Sequence, residues 1–198
     1  MASVATLQSS NETINDAAVR IIRSMAGGCL IVQGPPGTGK TYTAALAINA
    51  LLTSRKKVSV TSNSHKAVLN MHIACSEAVR KSERSLQGVK VGGEDGGQLF
   101  EDNPDFQYIE DNKEALAAYT NGIIGGTAWL FSRLELESNP DFLFIDEAGQ
   151  VLLANVVAMA RSAKNIALLG DQMQLEQPIQ GAHPGDVGLY SLNMPLRI

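Results

Sequence analysis

Gly34-Pro35-Pro36-Gly37-Thr38-Gly39-Lys40-Thr41 fits the pattern G-x-x-x-x-G-K-[ST], and the apolar run Cys29-Leu30-Ile31-Val32 before it supplies the strand that such a loop requires. Glycines at these positions let backbone N–H groups turn inward around a β-phosphate. Lys40 places a point charge between β- and γ-phosphates, and Thr41 offers a hydroxyl to Mg²⁺ at a helix N-terminus. The stretch therefore reads as a nucleoside triphosphate site. The competing reading is a Gly/Pro turn that merely ends a strand.

Working outward, short apolar runs alternate with helical patterns. Ser9-Ser10-Asn11-Glu12 has the capping-box form, and Ile14, Ala17, Ala18, Ile21, Ile22 and Met25 recur at helical spacing before Gly27-Gly28. Thr41 to Leu52 reads as a helix, Val58 to Thr61 as a strand, and Lys66 to Val79 as a second helix. Ile123-Ile124 before Gly125-Gly126 reads as a strand end. Phe142 to Ile145 is a strand running into Asp146-Glu147, Val151 to Ala163 is helical, and Ile166 to Leu169 is a further strand. Residues 82–114 hold Gly88, Gly92-Gly93, Gly96-Gly97 and Pro104 with little periodicity, so a surface loop or small insertion is expected there. Fully apolar strands alternating with helices predict an α/β fold with a parallel sheet covered on both faces. Ligands bind such sheets at the carboxyl ends of the strands, where the phosphate loop, Asp146-Glu147 and Gly170-Asp171 all fall.

At 198 residues with 44% hydrophobic content, the chain suits one α/β domain. Residues 1–25 contain no signal-peptide pattern and no run reaches membrane-spanning length, so a soluble cytoplasmic protein without a membrane partner is expected. Cys29 and Cys75 have no metal or redox spacing and read as reduced core thiols. His65, His72 and His183 likewise suggest no metal site, and His65 could lie near a nucleic acid track. A net charge of −4 argues against gripping nucleic acid by bulk electrostatics. Charge is nevertheless uneven. Residues 55–90 hold Arg55, Lys56, Lys57, Lys66, Arg80, Lys81, Arg84 and Lys90 against Glu77 and Glu83, while 91–114 hold eight acidic residues and one lysine. A locally basic surface is compatible with this, as are lysines and arginines that decorate solvated helix faces.

A carboxylate at the end of an apolar strand needs a cation or hydrogen bonds, and Mg²⁺ carried by the nucleotide would serve Asp146. Glu147 then lies where it could take a proton from water attacking the γ-phosphorus. Both residues also suit a helix start, where acids are favoured. Gln174, in Gly170-Asp171-Gln172-Met173-Gln174-Leu175, could touch the γ-phosphate as a sensor, or belong to a polar turn.

Together GPPGTGKT, DEAGQ and GDQMQLEQP resemble motifs I, II and III of superfamily 1 helicases, in order and type, over roughly residues 12–189. The proline pair and the DEA-type motif are similar to the branch that includes the nonsense-mediated-decay RNA helicase and the replication helicase–nuclease. TSNSHKAV, GGTAWLF and NVVAMAR resemble blocks in the helicase module of bacterial RecB-like nuclease–helicase fusions. The resemblance implies a RecA-like phosphate-loop NTPase domain at 1–190, with ATP and Mg²⁺ as cofactors and single-stranded DNA or RNA as partner. It puts Ser62, Asn63, Ser64 and Lys66 in motif Ia and Thr127 in the next strand-contacting motif, consistent with hydroxyls, amides and N–H groups that hold a nucleic acid backbone. Asn15 stands where relatives carry an adenine-reading glutamine one methylene longer. Trp129 could stack on a base, although a lone tryptophan after a small-residue turn is more often core packing.

Residues 191–198 resemble nothing in that family, and motifs IV to VI, which belong to a second RecA-like domain, are not in this sequence, nor is the nuclease domain of the fusions. The implied activity is the ATP-binding half of a helicase, coupling hydrolysis to translocation and unwinding in the complete enzyme, with a weak ATPase alone. The alternative is a truncated, nucleotide-dependent binding module without useful hydrolysis. A small-molecule kinase on the same loop would leave DEAGQ and GDQMQL unexplained.

Overall fold

Seven parallel strands form one sheet in the order β1-β7-β6-β2-β5-β3-β4 in the computed structural model, which describes residues 8–93 and 97–171. The strands are β1 (Gly28–Gln33), β2 (Val58–Thr61), β3 (Gly88–Val91), β4 (Phe106–Ile109), β5 (Ile123–Gly126), β6 (Phe142–Ile145) and β7 (Asn165–Gly170). Between them run α1 (Ile14–Ser24), α2 (Lys40–Thr53), α3 (His65–Arg80), α4 (Gln98–Asp102), α5 (Asn112–Ala118), α6 (Ala128–Phe131) and α7 (Leu153–Met159), α1 preceding β1.

The period of two along each strand sorts side chains to two faces. From β6, Phe142 and Phe144 join Val58, Val60 and Leu169 in a core closed by Ile22 of α1, Ile48 and Leu51 of α2, and Met71, Cys75 and Val79 of α3. Leu143 and Ile145 face the other way, with Ile124, Val89 and Leu168, against Ala115 of α5, Leu130 and Phe131 of α6, and Met159 of α7. Each fully buried apolar side chain of this size contributes about 1.5–3 kcal/mol, so the four consecutive apolar residues of β6 are stable as a strand covered by helices on both faces. The fold is the expected α/β architecture.

Local boundaries differ in instructive ways. Thr13, not Ser9, caps α1: its hydroxyl accepts the Asp16 N–H at 3.1 Å. The Ser9–Glu12 pattern forms a separate turn, Ser9 N–H donating to the Glu12 carboxylate, which Arg20 also holds at 2.8 Å. After β6 the chain makes a 3-10 turn at Ala148–Gln150 before α7, so the expected 151–163 helix is shorter. Cys75 is buried, and burial pushes its thiol well up. Cys29 is exposed, contrary to the expected core thiol, because β1 is the sheet edge and only Leu30 and Val32 turn inward.

The expected loop or insertion at 82–114 is folded: it carries β3, α4, β4 and the start of α5, and so adds two strands beyond β5. Its glycines mark close packing. A Cβ on Gly88 would lie 1.8 Å from the Ile123 carbonyl oxygen, and one on Gly93 would lie 2.4 Å from Cβ of His65. Lys90, counted among surface cations, is fully buried. Its ammonium donates to Gly92 O at 2.6 Å and stands over the Tyr108 ring at 5.2 Å.

Candidate nucleotide site and nucleic-acid surface

β1, β7 and β6 are neighbours in register, Gln33 opposite Gly170 and Ile145 opposite Leu168, so their carboxyl ends lie side by side. The phosphate loop leaves β1 with Gly34 N–H donating to Gly170 O at 3.2 Å, which ties it to the end of β7. Gly37 and Gly39 adopt positive φ (79° and 83°), a region costly for other residues. Gly34 leaves room for Thr38, whose hydroxyl donates to Pro35 O at 2.8 Å; a Cβ on Gly34 would meet Thr38 Oγ1 at 2.8 Å. The Lys40 ammonium turns into the loop and donates to Gly34 O at 2.6 Å and Pro35 O at 2.9 Å. Thr41 follows in the first turn of α2 with its hydroxyl unengaged among the described residues.

Asp146 closes the site from β6 and is only 8% exposed. Burial pushes its carboxyl up to about 6, aided by the Glu147 carboxylate, while the Glu147 N–H it accepts at 3.0 Å and the nearby Lys40 ammonium pull the other way. Glu147 itself has φ +52°, an uncommon backbone for a glutamate, and its carbonyl accepts Gln150 N–H at 2.8 Å. The Glu147 carboxylate is near enough to Asp146 for its charge to oppose ionisation there. The oxygen donors Thr41 and Asp146, the latter a nearly buried carboxylate that among the described residues accepts the Glu147 N–H, fit a hard cation such as Mg²⁺. Among the described residues no cluster of three or more His, Cys, Asp or Glu forms another metal site.

Asn15 reaches the same region from α1. Thr43 Oγ1 of α2 donates to Asn15 Oδ1 at 2.6 Å, so the asparagine amide N–H₂ is what remains to offer a ligand. Asp171 follows β7 directly. Gln174, like the 191–198 tail, lies outside the described residues.

The residues expected to touch nucleic acid gather at the ends of β2 and β5. Ser64 caps α3, its oxygen accepting Ala67 N–H at 3.1 Å, and Lys66 is exposed one residue into that helix. Thr127 precedes α6 with no capping hydrogen bond from its hydroxyl. Ser62 differs from the expected outer contact: it is buried and its hydroxyl donates to Asp146 O at 3.1 Å, bracing β2 against the end of β6. Asn63 donates through its side-chain amide to Gln150 Oε1. Gln150 was present in DEAGQ, but only the fold reveals its link to Asn63. Trp129 is 82% exposed, which overturns the core-packing alternative; in the four-residue α6, Leu130 and Phe131 take the inward positions.

A phosphate loop, an acidic pair and a third strand end meeting on adjacent parallel strands define a RecA-like phosphate-loop NTPase module of superfamily 1 helicase type. The chain belongs to the AAA domain family, whose model matches residues 13–187. It is 27% identical over 165 residues to the Schizosaccharomyces pombe DNA replication ATP-dependent helicase/nuclease dna2, covering 80% of this chain and 11% of that protein. It is 26% identical over 158 residues to the Saccharomyces cerevisiae DNA replication ATP-dependent helicase/nuclease DNA2, covering 73% of this chain and 10% of that protein. The chain thus spans about a tenth of these relatives. Among solved structures, a nuclease-deletion mutant of the Type ISP restriction-modification enzyme LlaGI, in complex with a DNA substrate mimic, superposes with a TM-score of 0.53 at 16% identity. That match covers 84% of this chain and 17% of the other, and it shows the shared fold.

Proposed function

We propose that this domain binds ATP with Mg²⁺ and serves as the ATP-binding half of a superfamily 1 helicase, coupling hydrolysis to movement along single-stranded DNA or RNA and to unwinding. The observation that carries the reading is the convergence of Lys40, Asp146 and Glu147 at the ends of β1 and β6, with Asp146 nearly buried and close enough to Lys40 to feel its charge. N–H groups of residues 37–41 hold the phosphates, Lys40 exchanges loop carbonyls for β- and γ-phosphate oxygens, and Asn15 offers its amide to adenine. Magnesium, held by Thr41 and Asp146, would neutralise phosphate charge. Glu147 orients the attacking water and accepts its proton, Gly170-Asp171 closes the site beside the loop, and Gln174 senses the γ-phosphate.

Ser62, Asn63, Ser64, Lys66 and Thr127 form the strand-facing surface. A second RecA-like domain is the partner that supplies arginines, and a nuclease domain can accompany it. An arginine of this kind is worth ~10³–10⁵ in rate in phosphate-loop enzymes, so the chain alone hydrolyses ATP feebly. Among the described residues no helix is long and apolar enough to cross a membrane. The cytoplasm, where ATP is supplied, is the compartment this reading assigns. The test is Mg-ATP binding and hydrolysis by the chain, with and without single-stranded DNA and RNA, using Lys40→Ala as blank. Nucleotide binding that Lys40→Ala abolishes, with slow turnover, is expected. No nucleotide binding at all would overturn the reading, and turnover at the rate of complete helicases would overturn the half-site.

A further inference from the structure

We propose that the cleft beside Trp129 holds one unpaired nucleobase of the bound strand, stacked on the indole with its edge toward the amide of Asn155 and the hydroxyl of Thr61. This rests on the nucleic-acid reading above and names how the strand is held there. The cleft, about 230 Å³, opens where β2, β5 and the turn after β6 end; its wall includes Thr61, Asn63, Trp129, Gln150, Asn155 and Met159. Among the described residues none that lines it is charged, although the chain carries 20 acidic and 16 basic residues. A lining with neither cation nor carboxylate does not suit a free anion or a metal. An aromatic face, an apolar floor at Met159 and a few amides and hydroxyls suit a flat, neutral heterocycle with a hydrogen-bonding edge.

Three observations point to a ligand. Trp129 is 82% exposed, whereas tryptophan is on average one of the more buried side chains. Asn155 on α7 lines both this cleft and a second one of about 110 Å³ that Trp129 also borders, and its side chain makes no hydrogen bond among the described residues. Thr61, only 1% exposed, keeps a buried hydroxyl with no hydrogen-bond partner among the described residues, an arrangement that costs free energy unless something is bound. The residues assigned to the strand backbone, Asn63 and Thr127, stand at the same cleft, so a backbone held there leaves its base within reach of the indole.

Trp129 is the single tryptophan of the chain, so its fluorescence reports this cleft alone. The experiment titrates the whole chain at low salt with end-labelled single-stranded DNA and RNA oligonucleotides, following label anisotropy and tryptophan emission together. Expected are binding with quenching for DNA, RNA or both, and anisotropy without quenching for an oligonucleotide of abasic sites. Trp129→Ala should weaken binding by about 5- to 100-fold, and Trp129→Phe by less. Binding by anisotropy with unchanged emission, equal quenching by the abasic strand, or an emission change that tracks protein concentration alone would each overturn the base slot and leave the nucleic-acid reading standing. Absence of any anisotropy change with either strand would overturn the nucleic-acid reading itself.

Discussion

Asp146 is held in an environment that opposes its own charge. Burial raises its carboxyl from 3.8 to about 6, so the folded protein binds a proton there that the unfolded chain releases. Its contribution to stability is complete below pH 3.8 and is lost as pH rises through 6. Asp146→Asn, which cannot ionise, should therefore gain up to about 3 kcal/mol over wild type at pH 7.5, read from urea denaturation, and gain nothing at pH 3.5. The same variant should lose Mg²⁺-dependent nucleotide binding. A less stable variant at pH 7.5 would mean that Asp146 is already compensated within the fold. Glu147→Gln is expected to behave differently: nucleotide affinity within a few-fold of wild type and hydrolysis reduced to background, measured by ligand titration and phosphate release. Retained hydrolysis would remove Glu147 from the role of base.

Between elements, the revealing contacts are those joining the ends of β2 and β6. Ser62 Oγ donates to Asp146 O and the Asn63 amide to Gln150 Oε1, so the segment proposed to face the strand is bonded to the turn that carries Glu147. Asn63→Ala should cut nucleic-acid stimulation of ATPase several-fold while basal hydrolysis stays near wild type; equal loss of both rates would assign Asn63 a purely structural role. On β5, Gly125 exists for α3: a Cβ there would lie 1.8 Å from Cε1 of His72, a ring fully buried between Val68 O and Phe106. Val68 O can only accept, so Nδ1 carries the proton, and burial holds the imidazole down to about 3. Its contribution is present above 6.5 and lost as pH falls toward 3, so His72→Asn should flatten the acid limb of the stability profile. A limb of unchanged slope in that variant would assign acid unfolding to other groups. β6 was legible as FLFI because both faces of a central parallel strand are covered. β3 and β4 were not, because the glycines in and after β3, read locally, signal turns, and only the position of Ile123 or His65 shows that the missing side chain at Gly88 or Gly93 is a packing requirement.

At the scale of the molecule, charge decides how a strand could be held. The phosphate loop was readable because its chemistry is contiguous in sequence. The surface at β2 and β5 joins residues more than sixty positions apart, and no local pattern distinguishes the buried Ser62 from the exposed Ser64 beside it. Of the five residues assigned to that surface, Lys66 alone is cationic, and the chain as a whole is at −4. Binding should accordingly be weak and only mildly salt-dependent, because each neutralised phosphate contributes a slope of about −0.7 in log K against log salt for single strands. Lys66→Ala should flatten the measured slope by about 0.7 and weaken all sequences alike, whereas Trp129→Ala should weaken binding and leave the slope unchanged, since stacking displaces no counterions. Anisotropy titrations between 50 and about 200 mM salt separate the two. A slope several-fold steeper than one phosphate contact would place the strand over Arg55, Lys56 and Lys57, at the opposite end of the sheet, and would move the track away from the nucleotide.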